Sequence, residues 1–83
     1  MMFKIEYNSQ SRKFLKNLEK HLVKRILEKL EDVSKNPFRY LEHHEGRDYK
    51  LRIGDYRALV DVDFKSKILI VRILDKRGRI YKK

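Results

Sequence analysis

The sequence predicts an α+β fold: an N-terminal strand, a helical hairpin, then an antiparallel three-stranded meander, with the helices packed on one face of a four-stranded sheet. Three observations predict it. Phe3, Ile5 and Tyr7 alternate with Lys4 and Glu6. Leu15, Leu18, Leu22, Ile26, Leu30 and Val33 then step by three and four along one helical stripe. From Tyr49 onward, apolar and charged residues alternate with the period of two that marks half-buried strands. The 83 residues suffice for one domain with one core, spanning 1–83.

The first strand ends at Asn8 and Ser9, which are turn or N-cap residues. The helical stripe, widened by Phe14, Val23 and Leu27, runs from about Ser11 to Lys35. At about 1.5 Å per residue, one helix of that length overshoots a small domain, so a break is expected near Asn17–His21. Asn36-Pro37 ends the second helix, because a residue before proline avoids helical geometry. Phe38–Asp48 reads as a surface loop. Gly54-Asp55 suits a two-residue type II′ hairpin turn. Tyr56, Ala58, Val60, Val62 and Phe64 follow in alternation, Lys65-Ser66-Lys67 turns the chain, and Leu69, Val71 and Ile73 make the last strand.

The chain lacks cysteine, which removes disulfides and thiolate chemistry. No apolar run approaches the roughly 20 residues of a membrane span, and MMFKIEY is not a signal-peptide core. A cytoplasmic setting with no membrane partner is expected. The net charge is +10 and uneven. Residues 1–46 carry 10 Lys/Arg against 7 Asp/Glu, and residues 47–83 carry 12 against 5. Such a skew points to a polyanionic partner, nucleic acid first.

The hairpin register locates that charge. With Gly54-Asp55 as the turn, Ile53 opposes Tyr56, Arg52 opposes Arg57, Leu51 opposes Ala58 and Lys50 opposes Leu59. One face then carries Tyr49, Leu51, Ile53, Tyr56, Ala58 and Val60 toward the helices, and the other carries Lys50, Arg52 and Arg57. Opposed like charges cost a sheet some tenths of a kcal/mol, whereas two guanidinium forks are suited to gripping a phosphate. A tight turn at Lys65-Ser66 sets Asp63 against Ile68, Asp61 against Ile70 and Leu59 against Arg72. Leu59, Ile68 and Ile70 then join the outer face, and Arg72 lies diagonal to Asp61 as an ion-pair partner. Gly78 permits a bend that returns Arg77, Arg79 and Tyr81 toward the same face. Glu42-His43-His44-Glu45 has metal-ligand residue types, but a solvated loop is the expected role. No Ser-His-Asp, Cys-His, P-loop or dinucleotide-binding pattern occurs.

The element order, the Asn-Pro after the second helix, the segment YKLRIGDYR and the closing KRGRIY together resemble RelE-type toxins of the RelE/ParE toxin–antitoxin superfamily. The resemblance covers essentially the whole chain. The Arg79–Tyr81 spacing and the turn after Arg52 are shorter than in the best-known bacterial members, and Leu74-Asp75 stands where many relatives have Gly-His. The resemblance implies a toxin that cuts mRNA in the ribosomal A site, in contact with ribosomal RNA, and that a cognate antitoxin neutralises. By position it implies a catalytic set of Lys50, Arg52, Arg57, Arg77, Arg79 and Tyr81. Arg57 and Arg77 would clamp phosphate, Lys50 or Tyr81 would act as base, and Arg79 or Lys50 would assist the leaving oxygen, with no metal or other cofactor. The alternatives are a ParE-like inhibitor of DNA gyrase and a toxin-derived RNA-binding module without activity.

Overall fold

The computed structural model describes residues 2–76. In chain order these form β1 (Lys4–Tyr7), α1 (Ser9–Lys16), α2 (Lys20–Lys35), α3 (Pro37–Tyr40), β2 (Glu42–Glu45), β3 (Asp48–Ile53), β4 (Tyr56–Asp63) and β5 (Ile68–Lys76). The sheet has five strands in the order β1-β5-β4-β3-β2. β1 lies parallel to β5, and the other neighbours are antiparallel. The helices carry the chain from β1 at one edge of the sheet to β2 at the other, and β3 and β4 return it to β5 beside β1, completing the connection that a parallel pair requires. None of the described helices is long and apolar enough to cross a membrane.

The α+β class, the helical hairpin and the meander agree with the sequence reading. The helix break falls where it is expected, with Asn17 closing α1 and Glu19 opening α2. Asn8 caps α1, its side chain accepting from the Ser11 N–H at 3.1 Å. Ile26, Leu30 and Val33 on α2 are buried with Leu51, Ala58, Val60, Leu69, Val71 and Leu74 of the sheet. Leu27 departs from the expected stripe and is 41% exposed.

Residues 38–48 correct the reading as a loop. Pro37 starts α3, and Glu42–Glu45 adds the fifth strand alongside β3. All four β2 side chains are exposed, so pairing there satisfies backbone groups and leaves no apolar alternation to detect.

The β3–β4 register is the expected one, from Lys50↔Leu59 to Ile53↔Tyr56. Gly54 takes φ +56, and Asp55 is not among the residues with positive φ, as a type II′ turn requires. Between β4 and β5, Asp63↔Ile68 and Asp61↔Ile70 also match. The ladder then slips, because Val60 pairs with Val71 but Leu59 pairs with Ile73. Arg72 is the extra residue of a β-bulge and does not face Leu59, as the simple register would have it. The bulge turns Ile73 to the outer face and gives its inner place to Leu74, which is 0% exposed.

β5 outruns its neighbour, since β1 pairs with it only as far as Tyr7↔Val71. The helix α1 takes over from there. The Gln10 amide accepts from the Leu74 N–H at 3.0 Å and donates to the Leu74 carbonyl at 3.2 Å, a side chain acting as a short strand. Fully buried Ser11 donates its Oγ hydrogen to the Val71 carbonyl at 2.8 Å. Replacing Ser11 by Ala should lower the unfolding free energy by about 1 kcal/mol. Leu51→Ala, which empties a core position, should cost about 2–5 kcal/mol. Urea unfolding checks the order, and a smaller loss for Leu51→Ala than for Ser11→Ala would contradict this packing.

Candidate nucleic-acid interface

The expected cations meet at one corner of the sheet. Lys50 and Arg52 stand on β3 and Arg57 on β4, with Arg52 and Arg57 paired across the hairpin. Arg52 is exposed, while Arg57 is only 9% exposed. The Arg57 Nη1 donates to the carbonyls of Gly54 and Tyr56, both at 2.8 Å. Part of that guanidinium therefore fastens the turn, a role the alternation pattern does not reveal. On its other side Arg57 pairs with Asp75, and Tyr56 pairs with Lys76. β5 thus delivers the chain to the hairpin turn at Lys76. Arg77, Arg79 and Tyr81 lie outside the described residues.

The outer face also holds a compensated charge cluster. The bulged Arg72 reaches Asp48 at 2.6 Å and Asp61 at 3.3 Å through one nitrogen, so the expected pair with Asp61 is present and Asp48 joins it. Asp48 and Asp61 are themselves cross-strand partners. The Asp48 carboxyl is held below its ordinary value, first by the hydrogen bond it shares with Asp61 and then by Arg72. Burial, with that same contact, pushes Asp61 up. Leu59, Ile68 and Ile70 are half-buried on this face, as expected, and Ile73 adds to them.

On the helix side the hairpin borders a cleft of about 680 Å³. Its apolar lining includes Leu22, Ile26 and Ile53, and its cations are Arg25, Lys29 and Arg52, with Asp55 the carboxylate beside them. Arg25 and Lys29 stand four apart on α2, hence on one helix face. Lys29 also sits over the Tyr40 ring at 4.1 Å. Sequence reading missed both cations. Their i, i+4 spacing beside Ile26 was the available signal, but which helix edge borders the hairpin is a tertiary fact. Among the described residues, no group of three or more His, Cys, Asp or Glu is arranged to hold a metal ion. In β2, His43 instead contacts the Gly46 carbonyl at 2.9 Å and the edge of Tyr49.

These roles separate by mutation. Arg57→Ala should lower stability by about 1.5–3 kcal/mol, since a charged donor leaves two turn carbonyls, and exposed Arg52→Ala should stay within about 0.5 kcal/mol. Equal losses in urea unfolding would refute the clamp. Arg72→Met should destabilise at neutral pH by leaving Asp48 and Asp61 opposed. The depressed Asp48 gives stability that is complete above its unfolded pKa and fades as pH falls through its lower folded value. Asp61, pushed up, has the opposite sign and takes its proton first. The Arg72→Met deficit should therefore shrink as pH falls through the carboxylate range, which a pH series of thermal melts would show.

Comparison with known proteins bears on the family and the fold. The family model for the ParE toxin of the type II toxin–antitoxin system parDE matches residues 5–80. Among solved structures, the toxin–antitoxin complex RelBE2 from Mycobacterium tuberculosis aligns with a TM-score of 0.83 at 20% identity, covering 93% of this chain and 100% of that one. The archaeal RelE–RelB complex from Pyrococcus horikoshii aligns at 0.78 and 28% identity, covering 95% and 99%. The intact RelBE complex of Escherichia coli aligns at 0.75 and 20% identity, covering 93% and 99%. No curated protein matches by sequence. With its fold shared by RelE toxins and its sequence matched over nearly its whole length, the chain belongs to the ParE toxin family of type II toxin–antitoxin systems, within the RelE/ParE superfamily.

Proposed function

We propose that this protein is a toxin that cuts messenger RNA in the ribosomal A site and is silenced by a cognate antitoxin. The observation that carries the reading is the meeting of Lys50, Arg52 and Arg57 at one hairpin, beside the strand end from which Arg77, Arg79 and Tyr81 continue. In the reaction, a 2′-hydroxyl loses its proton to Lys50 or Tyr81 and attacks the adjacent phosphorus. The bond to the 5′-oxygen breaks, and that oxygen, assisted by Lys50 or Arg79, takes a proton from Lys50 or from water, leaving a cyclic phosphate and a 5′-hydroxyl. Whichever group serves as base must first have lost its proton, as the neutral amine of Lys50 or the phenolate of Tyr81, which excludes arginine. Arg57 and Arg77 hold the non-bridging oxygens, where the pentavalent state gathers charge, so they favour it over the ground state.

The antitoxin is supported by the relatives, which were solved as toxin–antitoxin complexes. Its landing surface would be the outer-face apolar residues Leu59, Ile68, Ile70 and Ile73 with the cations beside them. The ribosome would supply much of the remaining geometry, so free RNA should be a poor substrate. A second reading, a gyrase inhibitor, draws on the ParE description of the matching family model.

On translating ribosomes, Arg52→Ala and Tyr81→Phe should each slow mRNA cutting by about a hundredfold. Full cutting by an Arg77→Ala, Tyr81→Phe double variant would overturn the site. Blocked DNA supercoiling by purified gyrase, without mRNA cleavage, would transfer the assignment to the second reading.

A further inference from the structure

At the end of β4 farthest from the arginine hairpin, two phenyl rings lie open to water. Phe38 is 73% exposed and Phe64 is 41% exposed, yet their rings are parallel, 5° apart in plane with centroids at 5.3 Å. Phe64 is braced from two sides. The Phe3 ring meets it nearly perpendicular at 6.1 Å, and the Tyr49 ring meets it at 80° and 6.4 Å. The pair therefore rests on the core and does not depend on the β4–β5 turn alone. Aromatic rings are the side chains a small core most gains by burying, so an ordered pair left open is unexpected without a partner.

The surroundings select the partner's charge. Arg47 and Lys65 line a hollow of about 320 Å³ together with Phe64 and Tyr49. Arg39 follows Phe38 in α3, and Lys67 sits over the Phe3 ring at 5.3 Å. The carboxylate in that hollow, Asp63, is committed to the turn, accepting from the Lys65 and Ser66 N–H groups, both at 3.1 Å. Two further acids lie near Arg47 in the chain: Glu45, at the end of β2, and Asp48, which is paired with Arg72 at 2.6 Å.

We propose that the Phe38–Phe64 pair is a stacking platform for an unpaired nucleobase, with Arg47 and Lys65 holding the adjoining phosphates. Bases stack on ring faces whatever their sequence, and a cationic margin suits the backbone. At about 3.3 Å per strand residue, the platform lies roughly 25 Å from the Arg52–Arg57 turn, too far to share one nucleotide with it. It is therefore a second contact, which would anchor RNA and leave the chemistry to the hairpin. The identity of the nucleic acid as RNA rests on the function proposed above, but the stacking does not.

The test uses fluorescein-labelled oligodeoxyuridine, which has no 2′-hydroxyl and cannot be cut by the proposed reaction. Anisotropy at low salt should show Phe38→Leu and Phe64→Leu each weakening binding about tenfold, and Lys65→Gln weakening it with a shallower salt dependence. Leucine keeps the apolar bulk, and unchanged melting temperatures would exclude a folding defect. Wild-type affinity in both leucine variants overturns the platform. So does self-association of the wild-type chain in sedimentation that either leucine change abolishes, since the rings would then serve a protein contact. Failure of the wild-type protein to cut mRNA on ribosomes, with the leucine effect intact, would reject the nuclease reading and leave the platform standing.

Discussion

Strand β5 is nine residues long, its parallel neighbour β1 covers only the first part of it, and its antiparallel neighbour β4 falls out of register with it at Arg72. The Val71 carbonyl is where these demands meet. It accepts from the Asn8 N–H at 3.1 Å and from the Ser11 hydroxyl at 2.8 Å, where the chain leaves β1 and enters α1. This pins the start of α1 to the middle of the sheet. Gln10 is then positioned to complete the bare edge at Leu74, and β5 runs on as strand to Lys76 beside the hairpin turn. Without that tether, the last basic segment of the chain would not begin beside Arg57.

The bulge acts on the other side of the same strand. An unbroken alternation would send Ile73 inward and Leu74 outward. The inserted Arg72 reverses both, and it places one guanidinium between two carboxylates that would otherwise repel. The positive charge of this half of the molecule is thus of two kinds. Arg72 is spent within the fold. Arg25 and Arg52 have no hydrogen bond or ion pair among the described residues, and their charge is available to a ligand.

Much of this was legible in the sequence because period-two alternation and a glycine turn fix a hairpin register with few alternatives. Ile53 opposite Tyr56 follows from Gly54-Asp55 alone, and with it the pairing of Arg52 and Arg57. What was not legible came from longer range. β2 has no buried side chain, so its pairing left no periodic trace. The burial of Arg57 depends on the turn carbonyls folding under its own side chain. The bulged Arg72 meets carboxylates 11 and 24 residues away in the chain. Arg25 and Lys29 join Arg52 only because α2 passes the hairpin on that side.

The all-exposed strand β2 has a consequence for how the molecule meets copies of itself. A sheet edge offers unpaired N–H and C=O groups that any extended chain can adopt, and flat apolar edges tend to grow into aggregates. Here the outermost strand reads Glu-His-His-Glu, it is four residues long, and its register with β3 is irregular between His43 and Glu45. A strand added beyond it would have to desolvate two carboxylates and follow a kinked ladder. The feature that hid β2 from pattern reading therefore guards the sheet, closing it to further growth on that side.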